Sequence, residues 1–80
     1  MAQVRVYSTP GCTNCILLKN FLKENKVMFE EVNVAADRLA AKEMVQKTGQ
    51  MTVPVTEING KFILGRDTDA IMNEINQVVQ

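Results

Sequence analysis

Two cysteines, Cys12 and Cys15, are the only thiols of this 80-residue chain, and two residues separate them. A structural zinc site takes four protein ligands, and the chain has no histidine to complete a set, so we predict no metal site within one chain. A metal shared across a dimer is the alternative. A disulfide between the pair would close too small a loop to stabilise the fold much. The spacing therefore favours thiol–disulfide exchange over two small residues that merely pack at a helix start.

The position of the pair along the chain predicts that it is reactive. Thr9-Pro10-Gly11 indicates a turn directly before Cys12, and helical periodicity begins at Thr13. Cys12 is therefore expected at a helix N-terminus, where unpaired N–H groups and the helix dipole favour a thiolate. Thiols at such sites have pKa values between roughly 3.5 and 7.5, against about 8.5 for free cysteine. We assign Cys12 as the nucleophile and Cys15, one turn further in and less exposed, as the resolving thiol.

Lys19 is a candidate for stabilising the thiolate. It lies four residues beyond Cys15 on the same side of the predicted helix, so its ammonium would add positive potential near the thiols. The alternative is an ordinary solvated lysine on a helix surface. Thr13 and Asn14, which separate the cysteines, are both neutral.

The elements that position these residues follow from hydrophobic periodicity and from turn signals. The first half of the chain predicts a strand over Val4–Ser8, a helix over Thr13–Asn25 with Ile16, Leu17, Phe21 and Leu22 inward, and a strand over Met28–Asn33. A second helix is capped by Asp37, has Leu39, Met44 and Val45 inward, and runs to Thr48 before Gly49. Strands over Val53–Ile58 and Lys61–Leu64 flank an Asn59-Gly60 turn, and a last helix with Ile71, Ile75 and Val78 inward is capped by Asp67 or Thr68.

This order, β-α-β-α-β-β-α, predicts one α/β domain over residues 1–80. A right-handed β-α-β crossover makes the first two strands parallel, and the hairpin makes the last two antiparallel. The sheet is therefore four-stranded and mixed, with helices on its faces.

Composition excludes several function classes. Hydrophobic residues are 46% and charged residues 22%, as in an ordinary globular domain. Nine basic residues balance nine acidic ones, so nucleic-acid and anionic-membrane surfaces, which need concentrated positive charge, are not expected. The sequence has neither a signal-like apolar start nor a run of about 20 apolar residues, so we expect a cytoplasmic protein. We also expect it to be a monomer.

Three motifs in order resemble the glutaredoxin branch of the thioredoxin-fold superfamily. They are Cys12-Thr13-Asn14-Cys15 after the first strand, Thr52-Val53-Pro54 before the third, and Gly65-Arg66-Asp67 before the last helix. The resemblance covers essentially the whole chain and extends to small bacterial glutaredoxin-like proteins of the YruB type and to NrdH-type redoxins. It implies a thioredoxin-like fold with sheet order 2-1-3-4, antiparallel first and third strands, and a cis peptide bond before Pro54.

The same resemblance implies a dithiol–disulfide oxidoreductase that reduces protein or low-molecular-weight disulfides in redox homeostasis. Its reductant would be a thioredoxin-reductase-like enzyme or a low-molecular-weight thiol, with no tightly bound cofactor. The substrate-binding residues would then be Thr52, Val53, Pro54 and Asp67. Glutathione would be a co-substrate, and the carboxylate of Asp67 would accept a hydrogen bond from its α-ammonium group. The alternatives are that Asp67 only caps a helix and that Pro54 is merely tolerated at a strand's first residue.

The sequence also departs from the glutaredoxin pattern. Thr9 stands where a basic residue is common, Asn14 where a tyrosine is common, and Gln50 where an arginine often precedes the Thr-Val-Pro motif. The usual double glycine is reduced to Leu64-Gly65, and the chain has no tryptophan such as marks NrdH redoxins. We therefore predict weak coupling to glutathione. Alternative functions are an iron–sulfur cluster carried by a dimer through the first cysteine and a thiol cofactor, and an interaction module independent of the thiols.

Overall fold

The predicted order of elements is confirmed by the computed structural model, which describes residues 3–79. The elements are β1 (Val4–Ser8), α1 (Thr13–Glu24), β2 (Glu30–Asn33), α2 (Arg38–Thr48), β3 (Val55–Ile58), β4 (Lys61–Leu64) and α3 (Thr68–Val79). β2 and β3 begin later than the sequence predicts, at Glu30 and Val55. In β3 the reason is Pro54, which has no N–H to donate to the ladder.

The four strands form one mixed sheet in the order β2-β1-β3-β4. β1 pairs with β2 in parallel and with β3 antiparallel, so Tyr7 lies between Val32 and Val55. β3 and β4 are antiparallel and are joined by the predicted turn, in which Asn59 and Gly60 have φ values of 49° and 89°. Positive φ at both central positions is what a two-residue hairpin turn requires, and these two residue types adopt it most readily.

Helices α1 and α3 cover one face of the sheet and enclose the larger core. Its buried members are Val4, Val6, Leu18, Leu22, Ile58, Ile71 and Ile75. Ile71 and Ile75 confirm the predicted inward side of α3, whereas the predicted contribution of Val78 lies outside the described side chains. This core fixes the helix that begins at the cysteines to the centre of the sheet.

The predicted inward side of α1 is partly wrong. Ile16 and Leu17 are 50% and 44% exposed, whereas Leu18 is fully buried and lies three residues after the buried Cys15 and four before the buried Leu22. Spacings of three and four residues keep side chains on one helix face, so these three form the stripe that meets the sheet.

Helix α2 covers the opposite face and closes a smaller core of Tyr7, Met44 and Val55. The predicted cap is confirmed, because the Asp37 Oδ1 accepts a hydrogen bond of 3.0 Å from the N–H of Ala40. The predicted inward position of Leu39 is wrong, since this side chain is 81% exposed. Met44 lies five residues further along, and the partly buried Ala40 packs beside it, so the helix turns Leu39 away from the sheet.

The hydroxyl of Tyr7, a member of this second core, has a hydrogen-bond partner. It donates a hydrogen bond of 2.9 Å to the Oε1 of Glu57, which also lies 3.7 Å from the guanidinium of Arg5. Burial raises the pKa of the Tyr7 hydroxyl above its ordinary value of 10.0, so the group is a neutral donor at physiological pH. The contact links β1 to β3 diagonally across the sheet.

Thr56 carries a buried hydroxyl that has no hydrogen-bond partner within residues 3–79. A buried, unsatisfied polar group costs about 1–3 kcal/mol of stability, and valine has nearly the same shape without the hydroxyl. We expect Thr56→Val to raise the free energy of unfolding by about 1–2 kcal/mol in urea denaturation. Thr48→Val is the matched control and should lower it, because the Thr48 hydroxyl donates to the carbonyl of Met44 at 2.7 Å. A lower unfolding midpoint for Thr56→Val would contradict the prediction.

Candidate active site

Cys12 lies where β1 has ended and α1 begins. Gly11 has a φ of 79°, a conformation that glycine adopts without strain, and the chain closes a turn in which the Cys12 N–H donates to the Thr9 carbonyl at 3.4 Å. Cys12 has extended backbone angles (φ −83°, ψ 108°) and is the N-cap of α1. Its Sγ accepts a hydrogen bond of 3.1 Å from the N–H of Cys15. The predicted helix N-terminal position is therefore confirmed.

The two cysteines differ in accessibility and are joined as a disulfide. Their Cα atoms are 5.2 Å apart, as expected for a bridged pair. Cys12 is partly exposed, whereas Cys15 is completely buried beneath it. An incoming sulfur therefore meets Cys12 first, and Cys15 can approach only from within the protein. This asymmetry supports the assignment of Cys12 as nucleophile and Cys15 as resolving thiol.

The Thr52-Val53-Pro54 segment lies at the same end of the sheet. Because Tyr7 in β1 is opposite Val55 in β3, the end of β1 that leads to Cys12 is beside the start of β3. The peptide bond between Val53 and Pro54 is cis, as the resemblance implied. Within residues 3–79 neither the N–H nor the C=O of Val53 has a hydrogen-bond partner, so this backbone is free to pair with another chain.

The segment before α3, Gly65-Arg66-Asp67, is held against the Thr52-Val53-Pro54 segment. The N–H of Gly65 donates to the carbonyl of Pro54 at 2.9 Å. Asp67 caps α3, since its Oδ1 accepts from the N–H of Ala70 at 3.1 Å. The three motifs that are separate in the sequence are thus brought to one end of the sheet, and the exposed carboxylate of Asp67 keeps its second oxygen available.

Lys19 reaches the neighbouring strand. Its ammonium forms an ion pair with Glu31 of β2, and both side chains line a recess beside Thr9 and Pro10. A role for Lys19 in stabilising the Cys12 thiolate stays a proposal, because the carboxylate of Glu31 offsets the positive charge of Lys19. Glu31 itself was not identified from the sequence, where the only available signal was the parallel pairing that brings β2 beside β1.

The described part of the chain carries no sign of a metal centre or a membrane span. Among residues 3–79, no group of three or more histidine, cysteine, aspartate or glutamate side chains is placed to hold a metal ion. Over that same range, every helix is too short or too polar to cross a lipid bilayer.

The fold and the exposed–buried cysteine pair at a helix N-terminus together define a thioredoxin-like redox domain. The glutaredoxin family model matches residues 4–63, and the chain belongs to the glutaredoxin family. Members of this family are in general thiol–disulfide oxidoreductases that use glutathione as a co-substrate.

Individual relatives agree with this assignment. An uncharacterized glutaredoxin-like 8.6 kDa protein in the rubredoxin operon of Clostridium pasteurianum is 40% identical over 62 residues, which are 78% of this chain and 83% of the relative. Glutaredoxin 3 of Escherichia coli is 31% identical over 67 residues, covering 84% and 81% of the two chains. The crystal structure of a glutaredoxin from Archaeoglobus fulgidus superposes with a TM-score of 0.82 at 25% identity, covering 94% of this chain and 87% of that one.

Proposed function

We propose that the protein is a dithiol–disulfide oxidoreductase whose preferred substrates are polypeptide disulfides. The observation that carries the proposal is the arrangement of the thiols: Cys12 is partly exposed at a helix N-terminus and Cys15 is buried one turn below. A thiolate is the attacking species in disulfide exchange, and the N–H that points at the Cys12 sulfur stabilises a negative charge there.

The reaction consists of two exchanges. The Cys12 thiolate attacks one sulfur of the substrate disulfide, and the other sulfur leaves as a thiolate that takes up a proton from water. Cys15 then releases its proton, attacks the Cys12 sulfur and displaces the second substrate sulfur, which is also protonated. The substrate gains two electrons and two protons, and the protein is left with a Cys12–Cys15 disulfide. A reductase or a low-molecular-weight thiol must return those electrons and protons.

The free backbone of Val53 supports a polypeptide as substrate. An extended chain can pair with such a backbone as a short added strand, which holds its cystine beside Cys12. Thr52 and Asp67, both exposed at the same end of the sheet, are the side chains that would meet this chain. We further propose that the protein acts as a cytoplasmic monomer.

Weak coupling to glutathione follows from the side chains around the site. Thr9, Asn14 and Gln50 bring neither a cation nor an aromatic ring to the positions where glutaredoxins commonly have them. Gln50 is already engaged, because its Oε1 accepts a hydrogen bond of 3.0 Å from the Thr52 hydroxyl. The carboxylates of glutathione therefore lack charged partners at these positions.

The electron donor tests this proposal. We expect NADPH-dependent reduction of insulin to be faster with thioredoxin reductase than with glutathione and glutathione reductase, because each missing hydrogen bond from a charged side chain lowers the affinity for glutathione by about tenfold or more. Gln50→Arg should raise the glutathione-dependent rate, and Gln46→Arg on α2 is the matched control. Equal rates with both donors would contradict the weak coupling. If the protein failed to accelerate the reduction of insulin by dithiothreitol above the uncatalysed rate, the oxidoreductase itself would be overturned.

A further inference from the structure

A surface groove runs between α1 and α3 and is not used by the chemistry described above. Its lining consists of Leu17, Asn20, Phe21 and Glu24 from α1 with Arg66 and Thr68 from the start of α3. Leu17 is 44% exposed and Phe21 is partly buried against the core, so the groove presents two apolar side chains among polar ones. The sequence analysis predicted that Leu17 packs in the core. In the structure this side chain lines the groove instead.

The groove begins close in the chain to two parts of the thiol site. Arg66 stands between Gly65, which donates its N–H to the Pro54 carbonyl, and Asp67, which caps α3. Leu17 follows Cys12 by five residues, or about 7.5 Å along the helix axis at 1.5 Å per residue. An extended chain covers about 3.3 Å per residue, so a polypeptide reduced at Cys12 needs at least two or three residues beyond its own cysteine to reach the groove.

Charges at the two ends of the groove differ. Arg66 is exposed beside the thiol site and Glu24 is exposed at the far end, and within residues 3–79 neither forms an ion pair. A carboxylate near the substrate cysteine would meet Arg66, whereas an acidic residue further along would meet Glu24. A chain lying in the groove would therefore be favoured in one order of charges over the other.

Given the proposed function, we propose that this groove is the docking site for the polypeptide substrate of the disulfide exchange. The segment that occupies it carries an apolar side chain, which covers Leu17 and Phe21, and a carboxylate, which pairs with Arg66. Burial of the apolar side chain supplies affinity, and the charge pair fixes the direction of the chain. A small disulfide has no such segment and gains nothing from the groove.

Two synthetic peptides test the docking site. Each carries its cysteine as a mixed disulfide with thionitrobenzoate and a leucine three residues away. The residue next to the leucine on the cysteine side is Asp in one peptide and Lys in the other. Peptide reduction is measured as kcat/KM relative to that for bis(2-hydroxyethyl) disulfide. The wild-type protein should prefer the Asp peptide by about fivefold, and Arg66→Glu should reverse this preference. Leu17→Ser should lower the relative kcat/KM of the Asp peptide by about tenfold, the loss expected when an apolar contact of this size is removed.

Matched controls are available on α2. Arg38→Glu makes the same charge change and Leu39→Ser the same apolar deletion at exposed positions outside the groove, so both should keep the wild-type preference. Equal reduction of the two peptides by the wild-type protein, with no effect of Arg66→Glu, would overturn the docking site. Failure of the proposed function has a different signature, since the wild-type protein would then reduce neither the peptides nor bis(2-hydroxyethyl) disulfide.

Discussion

Replacing Cys12 with serine should abolish disulfide reduction, whereas replacing Cys15 with serine should trap the substrate on the protein. Cys12 is the thiol that solvent reaches, and a serine hydroxyl is not ionised at neutral pH, so Cys12→Ser removes the attacking group. In Cys15→Ser the first exchange still occurs, but no second thiol remains to displace the product. The mixed disulfide formed through Cys12 should therefore accumulate.

Mass spectrometry after incubation with oxidised insulin, without added reductant, measures this outcome. The assignment of the adduct is simple because each variant keeps a single thiol. Cys15→Ser should also react with iodoacetamide with half its maximal rate at a pH below about 8.5, the value for a free thiol, because the thiolate is the reactive form. The reaction then slows as the pH falls through that midpoint. If Cys12→Ser reduced insulin at the wild-type rate, or formed the adduct instead, the assigned roles would be wrong.

Leu18→Ala should destabilise the protein far more than Leu17→Ala, although the two leucines are neighbours on α1. Leu18 is completely buried in the larger core, and truncating such a leucine costs about 2–5 kcal/mol because the cavity left behind closes only in part. Leu17 is 44% exposed, so its truncation should cost less than about 1 kcal/mol. In a domain of this size the first change is a large share of the total stability.

Urea denaturation followed by far-UV circular dichroism separates the two variants. Both substitutions remove the same atoms from the same helix, so a difference in helix propensity cannot explain the result. The side of α1 that meets the sheet would be misassigned if the two variants unfolded at the same urea concentration, or if Leu17→Ala were the weaker protein. If folded Leu18→Ala reduced insulin at nearly the wild-type rate, α1 would still hold Cys12 in place in that variant.

Local signals explain why the order of elements was predictable. Asp37 caps α2 through a contact that depends only on residues three apart, and Asn59-Gly60 forms its turn because of the φ values that these two residue types accept. The position of Cys12 at a helix start follows in the same way from Thr9-Pro10-Gly11 directly before it. Such features are determined by neighbours in the chain, so the sequence alone identifies them.

The inward side of α1 depends on the whole fold. Cys15, Ile16, Leu17 and Leu18 are four consecutive apolar residues, so periodicity does not select which of them meets the sheet. The Lys19–Glu31 pair and the Gly65–Pro54 hydrogen bond likewise join residues that are far apart in the chain. Sheet order 2-1-3-4 came from the family resemblance, because strand periodicity carries no information about which strands are neighbours.

The strand order also determines which strands are exposed to pairing with other chains, a step that leads to aggregation. β2 and β4 lie at the two edges of the sheet, and an edge strand is a template on which a second chain can polymerise. Both strands are only four residues long, and Glu30, Glu31 and Lys61 place exposed charges along them. Charge and short length are the means by which natural sheets prevent pairing between edges. Both edges of the sheet therefore disfavour pairing with another chain, whereas the backbone of Val53 beside the thiols can still pair with one.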